Sequence, residues 1–148
     1  MHKICWTMVL IFSVVSCDSV GPSFSPDVDL AVHQAQWRQH GFRDYIFDYT
    51  ISSVWVAPPP VRITVVADTV RSAIVIATGA AAPIAGLPTI DSLFATVGRS
   101  IQSEMGPPVI EYDSKLGYPR SIDTISSSPP DAGFTITVRS LVPVVLTQ

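Results

Sequence analysis

Cysteine is nearly absent from this chain of 148 residues. Only Cys5 and Cys17 occur, both near the start. From Asp18 onward there is no thiol, which excludes an intradomain disulfide, a thiolate metal site and a cysteine nucleophile. Charge is also scarce. Charged residues make up 14% of the chain, against about a quarter in ordinary soluble domains. Lys and Arg number 9 against 12 Asp and Glu, and the cations never form a run. An acidic chain without a basic patch is not built to neutralise phosphates, so nucleic acid is excluded as a partner. The same lack removes a polybasic pull toward anionic lipid. No apolar run reaches the roughly 20 residues of a spanning helix. Mean hydropathy is nonetheless positive, at +0.38.

What is present begins with Lys3 and an apolar run from Ile4 to Val15, ending in Val14-Val15-Ser16-Cys17. A charged start, a short apolar stretch and small residues at its end describe a secretory leader. A Cys just after the small residue resembles a bacterial lipobox. In that reading residues 1–16 are a lipoprotein signal peptide, and the Cys17 thiol receives diacylglycerol. The new N-terminus is then acylated, with a fatty acid such as palmitate. More than one acyl chain gives stable anchoring, where one alone is marginal. An ordinary cleaved signal with an incidental Cys, or an uncleaved anchor, fits the same residues. Residues 17–25 then read as lipidated Cys and tether, and 26–148 as one domain. About 130 residues suffice for a real core.

Within that domain the pattern alternates between helical and extended. Ser25-Pro26-Asp27 starts a helix, with Ser as cap, Pro in the first turn and acids near the positive dipole end. Gly41 stops it after His40. Leu30, Ala31, Ala35 and Trp37 give it a weak apolar face. Asp44 to Val54 alternates, with Tyr45, Phe47, Tyr49 and Ile51 on one side and Asp48, Thr50 and Ser52 on the other. Pro58, Pro59 and Pro60 break this strand. Val61–Ala67 and Val70–Thr78 are further strands, with Asp68-Thr69 as the expected turn. Gly79 to Pro88 is an apolar loop, so it is expected to pack on something. Thr89 caps a second helix whose Ile90, Leu93, Phe94, Val97 and Ile101 form a strong stripe. Strands at Val109–Asp113, Pro119–Ile125 and Phe134–Leu141 follow. The order αβββαβββ with short connections predicts an α+β fold, an antiparallel meander sheet with both helices on one face. The shared αβββ order of the halves also admits an internal repeat.

Several stretches together resemble a family of small bacterial lipoproteins known only as a domain of unknown function. They are Trp37, Gly41 and Asp44-Tyr45; V-V-A-D-T-V from Val65 to Val70; Pro88-Thr89-Ile90-Asp91 with Leu93-Phe94; and Tyr112-Asp113 with Gly117-Tyr118-Pro119, followed by Asp131. The likeness spans about Leu30 to Leu141. The chain departs from the family at Thr69, where Gly is frequent, and between Ser53 and Pro60, where many members carry two close cysteines. The resemblance implies architecture and location, and no catalytic residues.

The chemistry-bearing residues give no constellation. His33 and His40 lie about 10 Å apart by helical rise, too far to share an ion. Asp29 with His33 supplies two ligands, too few for a closed site, so no metal and no cofactor are expected and helix surface is the simpler reading. Asp113 and Asp123, with Glu111 nearby, would be the pair for a hydrolase. The spacing fits no calcium loop, and Asp113 reads better as a turn residue beside Gly117. The serines lie in no nucleophile elbow. The expected function is therefore non-catalytic: a lipid-anchored envelope module that binds an envelope protein through its loops and sheet edge. The candidate contact loops are Trp55 to Pro60 and Gly79 to Pro88, and the candidate contact residues are Trp55, Pro58, Pro59 and Tyr118; burial over a sheet end is the favoured reading of the Tyr118 ring and an equal one for Trp55. A small apolar ligand held by Tyr45, Phe47 and Tyr49 is the alternative.

Overall fold

The computed structural model describes residues 25–104, 106–125 and 133–144. Cys17, the tether before Ser25, the Ser126–Pro130 loop and Asp131 lie outside the described residues. The elements are α1 (Pro26–His40), β1 (Tyr45–Ser53), β2 (Val61–Val66), β3 (Thr69–Val75), α2 (Ile90–Ile101), β4 (Val109–Tyr112), β5 (Pro119–Asp123) and β6 (Phe134–Pro143). All six strands form one antiparallel sheet in the order β3-β2-β1-β6-β5-β4. The αβββαβββ order and the α+β class are those the sequence pattern predicts. Among the described residues no helix is long and apolar enough to cross a membrane.

The two-residue alternation of β1 decides which face is buried. Tyr45, Phe47 and Tyr49 are buried and pair across the sheet with Val65, Ile63 and Val61 of β2. Both helices cover this face. Trp37 of α1 stands edge-on to Tyr45, with ring centroids 5.4 Å apart at 89°. The Tyr45 hydroxyl accepts a hydrogen bond of 3.1 Å from the Ile90 N–H at the start of α2. Ile90, Leu93, Phe94 and Val97 are all buried, and Ile101 packs against the same cluster. Thr89 and Ser92 form a reciprocal capping box, which satisfies N–H groups that have no helical partner. α1 obeys a different rule. Of its residues only Trp37 is fully buried, Ala31 and Ala35 are exposed, and half-buried His33 and Leu30 complete the packing face. Polar side chains on that face are why its apolar periodicity is weak.

The β2–β3 turn falls one residue earlier than expected. Ala67 and Asp68 both have positive φ, +50° and +60°, and Val66 pairs with Thr69. Thr69 avoids the left-handed region, which a β-branched residue enters at a cost. Neighbours hold the strained pair. Ala67 N–H donates to Asp44 Oδ1 at 2.7 Å, Asp68 N–H donates to the Arg43 carbonyl at 3.0 Å, and the Arg43 guanidinium pairs with Asp68 at 2.7 Å.

The topology excludes the internal repeat. β1 and β6 are antiparallel neighbours, so β4 runs opposite to β1. Turning one half in the sheet plane to superpose its first strand on that of the other makes its meander run the opposite way across the sheet. With both helices on one face, the halves are of opposite hand and cannot be copies.

Gly117 shows how tightly α1 seats on the β4–β5 hairpin. Its φ is +80°, and a Cβ there would lie 2.7 Å from the His33 carbonyl oxygen. Gly79, with φ +68°, faces open space. Gly117→Ala is therefore expected to cost about 2–4 kcal/mol, strain plus overpacking, against about 1–2 kcal/mol for Gly79→Ala. Urea unfolding of the two variants checks the order. Tyr45→Phe strands the Ile90 N–H and is expected to cost about 1–3 kcal/mol in the same assay.

Candidate functional site

The segment between β1 and β2 exposes the largest apolar side chain of the described residues. Val54 is 53% exposed, Trp55 73% and Val56 62%, and Pro58, Pro59 and Pro60 are exposed as well. Ser53 builds its entry. The Ser53 Oγ accepts from the N–H groups of Trp55 at 3.3 Å and Val56 at 3.1 Å, while the Ser53 N–H donates to the Val56 carbonyl at 2.8 Å. Three prolines then fix an extended path without offering N–H donors. The Pro60 carbonyl accepts from the Ile76 N–H at 3.0 Å, tying the loop's exit to the end of β3. This places Trp55, Pro58 and Pro59 together on one accessible loop.

Tyr118 belongs elsewhere. It is 6% exposed and packs edge-on against Trp37, with centroids 6.3 Å apart. Gly117 lets the chain approach α1 closely, and the next side chain is driven inward. Tyr118 is thus a core residue: of its two sequence readings burial holds, and its place among the candidate contact residues is corrected. The rings of Tyr45, Phe47 and Tyr49 are likewise core, in one cluster with Trp37 and Phe94. A ligand held among them would have to displace that packing.

The acids and histidines hold the fold. Asp113 Oδ1 accepts from the N–H groups of Lys115 at 3.0 Å and Leu116 at 2.8 Å, and its carbonyl accepts from Gly117 at 2.9 Å. Asp123 Oδ1 accepts from Ile125 N–H at 2.8 Å. His33 is not solvated helix surface. Its ring stacks on Tyr112, centroids 4.1 Å apart, and its Nε2 lies 3.5 Å from Asp29. His40 stacks on Phe42 at 5.1 Å. Among the described residues no three His, Cys, Asp or Glu side chains gather at a spacing that would hold a metal ion. Burial pushes the Tyr45 and Tyr112 hydroxyls up to about 12, so both rings are neutral across the physiological range.

The Gly79–Pro88 loop does pack, through its backbone. Ala82 N–H donates to the Ala73 carbonyl at 2.9 Å, Val75 N–H donates to the Ala80 carbonyl at 2.8 Å, and Ala81 bridges to Ile74. The loop thereby covers the last part of the outer edge of β3, at Ala73–Val75, which would otherwise present unpaired groups to another strand.

The sheet face away from the helices carries what sequence reasoning missed. Asp48 pairs with Arg62 at 2.7 Å and 3.1 Å and stands opposite Arg139 of β6 in register. With Thr50, Thr137, Pro60 and Ile76, Asp48 and Arg139 line an open concavity of ≈ 390 Å³. The outward positions of β1 are evident from alternation. Their alignment with Arg62 and Arg139 needs the strand register, which no local pattern supplies.

The chain belongs to a family of unknown function, DUF6174, whose model matches residues 29–143. That agrees in extent with the resemblance carried by Trp37, Asp44-Tyr45, Val65–Val70, Pro88–Asp91 and Tyr112–Pro119. No match is found among curated proteins or among solved structures.

Hydrogen bonding from Arg62 holds the Asp48 carboxyl below the usual carboxylate range. A depressed folded value contributes stability above the unfolded pKa, near 3.9, and that contribution disappears as pH falls through the folded value. Wild type is expected to lose more stability than Asp48→Asn between pH 5 and acid, by up to about 1 kcal/mol for a partly exposed pair. Thermal melts across that pH range check the difference.

Proposed function

We propose that this chain is a lipid-anchored, non-catalytic interaction module of the bacterial envelope. Residues 1–16 are its leader, Cys17 bears the lipid, residues 17–25 form the tether and residues 26–148 the domain. Its contact surface is the Val54–Pro60 loop. The observation that carries the reading is the contrast between that loop and the rest of the domain. Asp113, Asp123, His33 and His40 are engaged in turns and stacks. The largest exposed ring in the described residues, Trp55, is held out by a loop that Ser53 and three prolines stiffen. An exposed, preorganised tryptophan is the kind of residue that dominates contact surfaces, because little conformational freedom is lost when it docks.

The lipid at Cys17 supports the location. Two features of the leader point to it, the short apolar run and the Cys directly after Ser16. In bacterial cells the wild-type chain is expected in the membrane fraction, released by detergent and labelled by palmitate, while Cys17→Ser loses the label and moves to the soluble fraction. A variant that stays on the membrane with its label intact sinks the anchor. A photoreactive residue at position 55 is expected to give an adduct in the membrane fraction. A side chain that stays in water gives none, which sinks the contact loop.

A further inference from the structure

The strand register places most of the large exposed apolar side chains at one end of the molecule. β1 ends at Ser53, opposite Phe134 at the start of β6. Thr135 pairs with Asp123 at the end of β5, and Asp123 pairs with Val109 at the start of β4. Val61, which opens β2, pairs with Val75, which closes β3. α1 enters β1 through four residues, so its start points to the end of the sheet where β1 finishes. Gly98 near the end of α2 meets Leu30 near the start of α1. Val28, Val54, Trp55, Val56, Val109 and Ile125 are all exposed and all lie at this end. Ile74 and Ile76, at the end of β3, lie near it, while Val32, Ile84 and Val142 are exposed elsewhere.

The same end is where the chain leaves toward Cys17. The step from Cys17 to Ser25 is eight residues and spans at most about 29 Å even when fully extended. A lipid on Cys17 therefore keeps the start of α1, and the apolar end with it, close to the bilayer.

We infer that the Val54–Pro60 loop makes its contact with the lipid bilayer itself, inserting Trp55 into the headgroup region so that the domain stands end-on upon the membrane that holds its lipid. The inference rests on the anchor proposed for Cys17. Trp is suited to that depth, because its large amphipathic ring is favoured at the level of the headgroups. The backbone is suited as well, since unpaired N–H groups are costly in a poorly hydrated layer. The N–H groups of Trp55 and Val56 already donate to Ser53 Oγ, and Pro58, Pro59 and Pro60 have none. Charge plays little part. Asp27 and Asp29 open α1 at this end and outnumber Arg99 in the last turn of α2, and Arg62 is already paired with Asp48, so the contact is apolar and independent of anionic lipid.

The test uses the full lipidated chain reconstituted into phosphatidylcholine vesicles. After loss of the leader the chain holds two tryptophans, buried Trp37 and exposed Trp55, so Trp55→Phe reports Trp37 alone. Lipids brominated near the headgroup are expected to quench wild-type emission more than lipids brominated near the bilayer centre. Trp55→Phe is expected to lose that quenching, and added salt to leave it unchanged. Flotation with the vesicles and the lipid mass on Cys17 read the anchor separately. A lipidated chain that floats but shows no more quenching than Trp55→Phe overturns the inference and leaves the anchor standing, with the loop free for a protein partner. A chain without lipid mass that fails to float overturns both.

Discussion

Everything in this domain converges on the side chain of Tyr45. Its backbone sits where β1 pairs with Val65 of β2 and Pro143 of β6. Its ring meets Trp37 of α1 edge-on, and its hydroxyl accepts from the first N–H of α2. One residue thus ties the centre of the sheet to both helices. The preceding residues extend the junction. Arg43 and Asp44 hold the strained Ala67–Asp68 turn, and the Asp44 carbonyl accepts from Val144, fixing the exit of β6. A fold with its two central strands drawn from opposite ends of the sequence depends on such a junction, because β1 and β6 meet only after the whole chain has been laid down.

That dependence explains the character of the stretches that place the chain in its family. Asp44-Tyr45 is the junction. Asp68 pairs with Arg43 at the turn that Asp44 braces, and Thr89 caps α2. Asp113 organises the β4–β5 turn, Gly117 yields to the His33 carbonyl, and Tyr118 fills the space beneath Trp37. Each side chain has a mechanical task inside the fold. A family signature made of such residues specifies an architecture and leaves its chemistry unspecified.

Most of the fold was legible because local physics decides it. The α2 stripe and cap, the Gly41 stop and the alternation in β1 need only neighbours in sequence. What escaped local reading is what distant partners decide. The turn sits at Ala67–Asp68 because Arg43 and Asp44 compensate two positive φ angles. Tyr118 is buried because Gly117 lets α1 close over the hairpin. His33, polar in sequence, is half-buried because Tyr112 offers a flat ring at 4.1 Å. The opposite hand of the two halves follows from β1 pairing with β6, which αβββ order alone cannot reveal. The exposed loop of Trp55, Pro58 and Pro59 was legible from its proline-rich context, whereas Asp48, Arg62 and Arg139 became neighbours only through register.

The two ends of the sheet differ in kind, and the difference has a physical reading. At the end where β1 begins, turns are held by polar side chains: Arg43 with Asp68, Asp44 with Ala67, and Gln36 and His40 reaching the Lys115 carbonyl. Such contacts are compatible with water on one side. At the end where β1 finishes, the loop is held by Ser53 and prolines, and its outward side chains are aliphatic or aromatic. A soluble domain gains nothing from gathering exposed aliphatic groups at one end, because they are hydrated there at a cost of about 25 cal/mol per Å². Covering that end would recover part of that cost. An N-terminal lipid a few residues away would supply the cover, since it holds the apolar end against a surface that welcomes it. The polar face with Asp48 and Arg139 would then stand upright from the bilayer, turned sideways toward the aqueous phase.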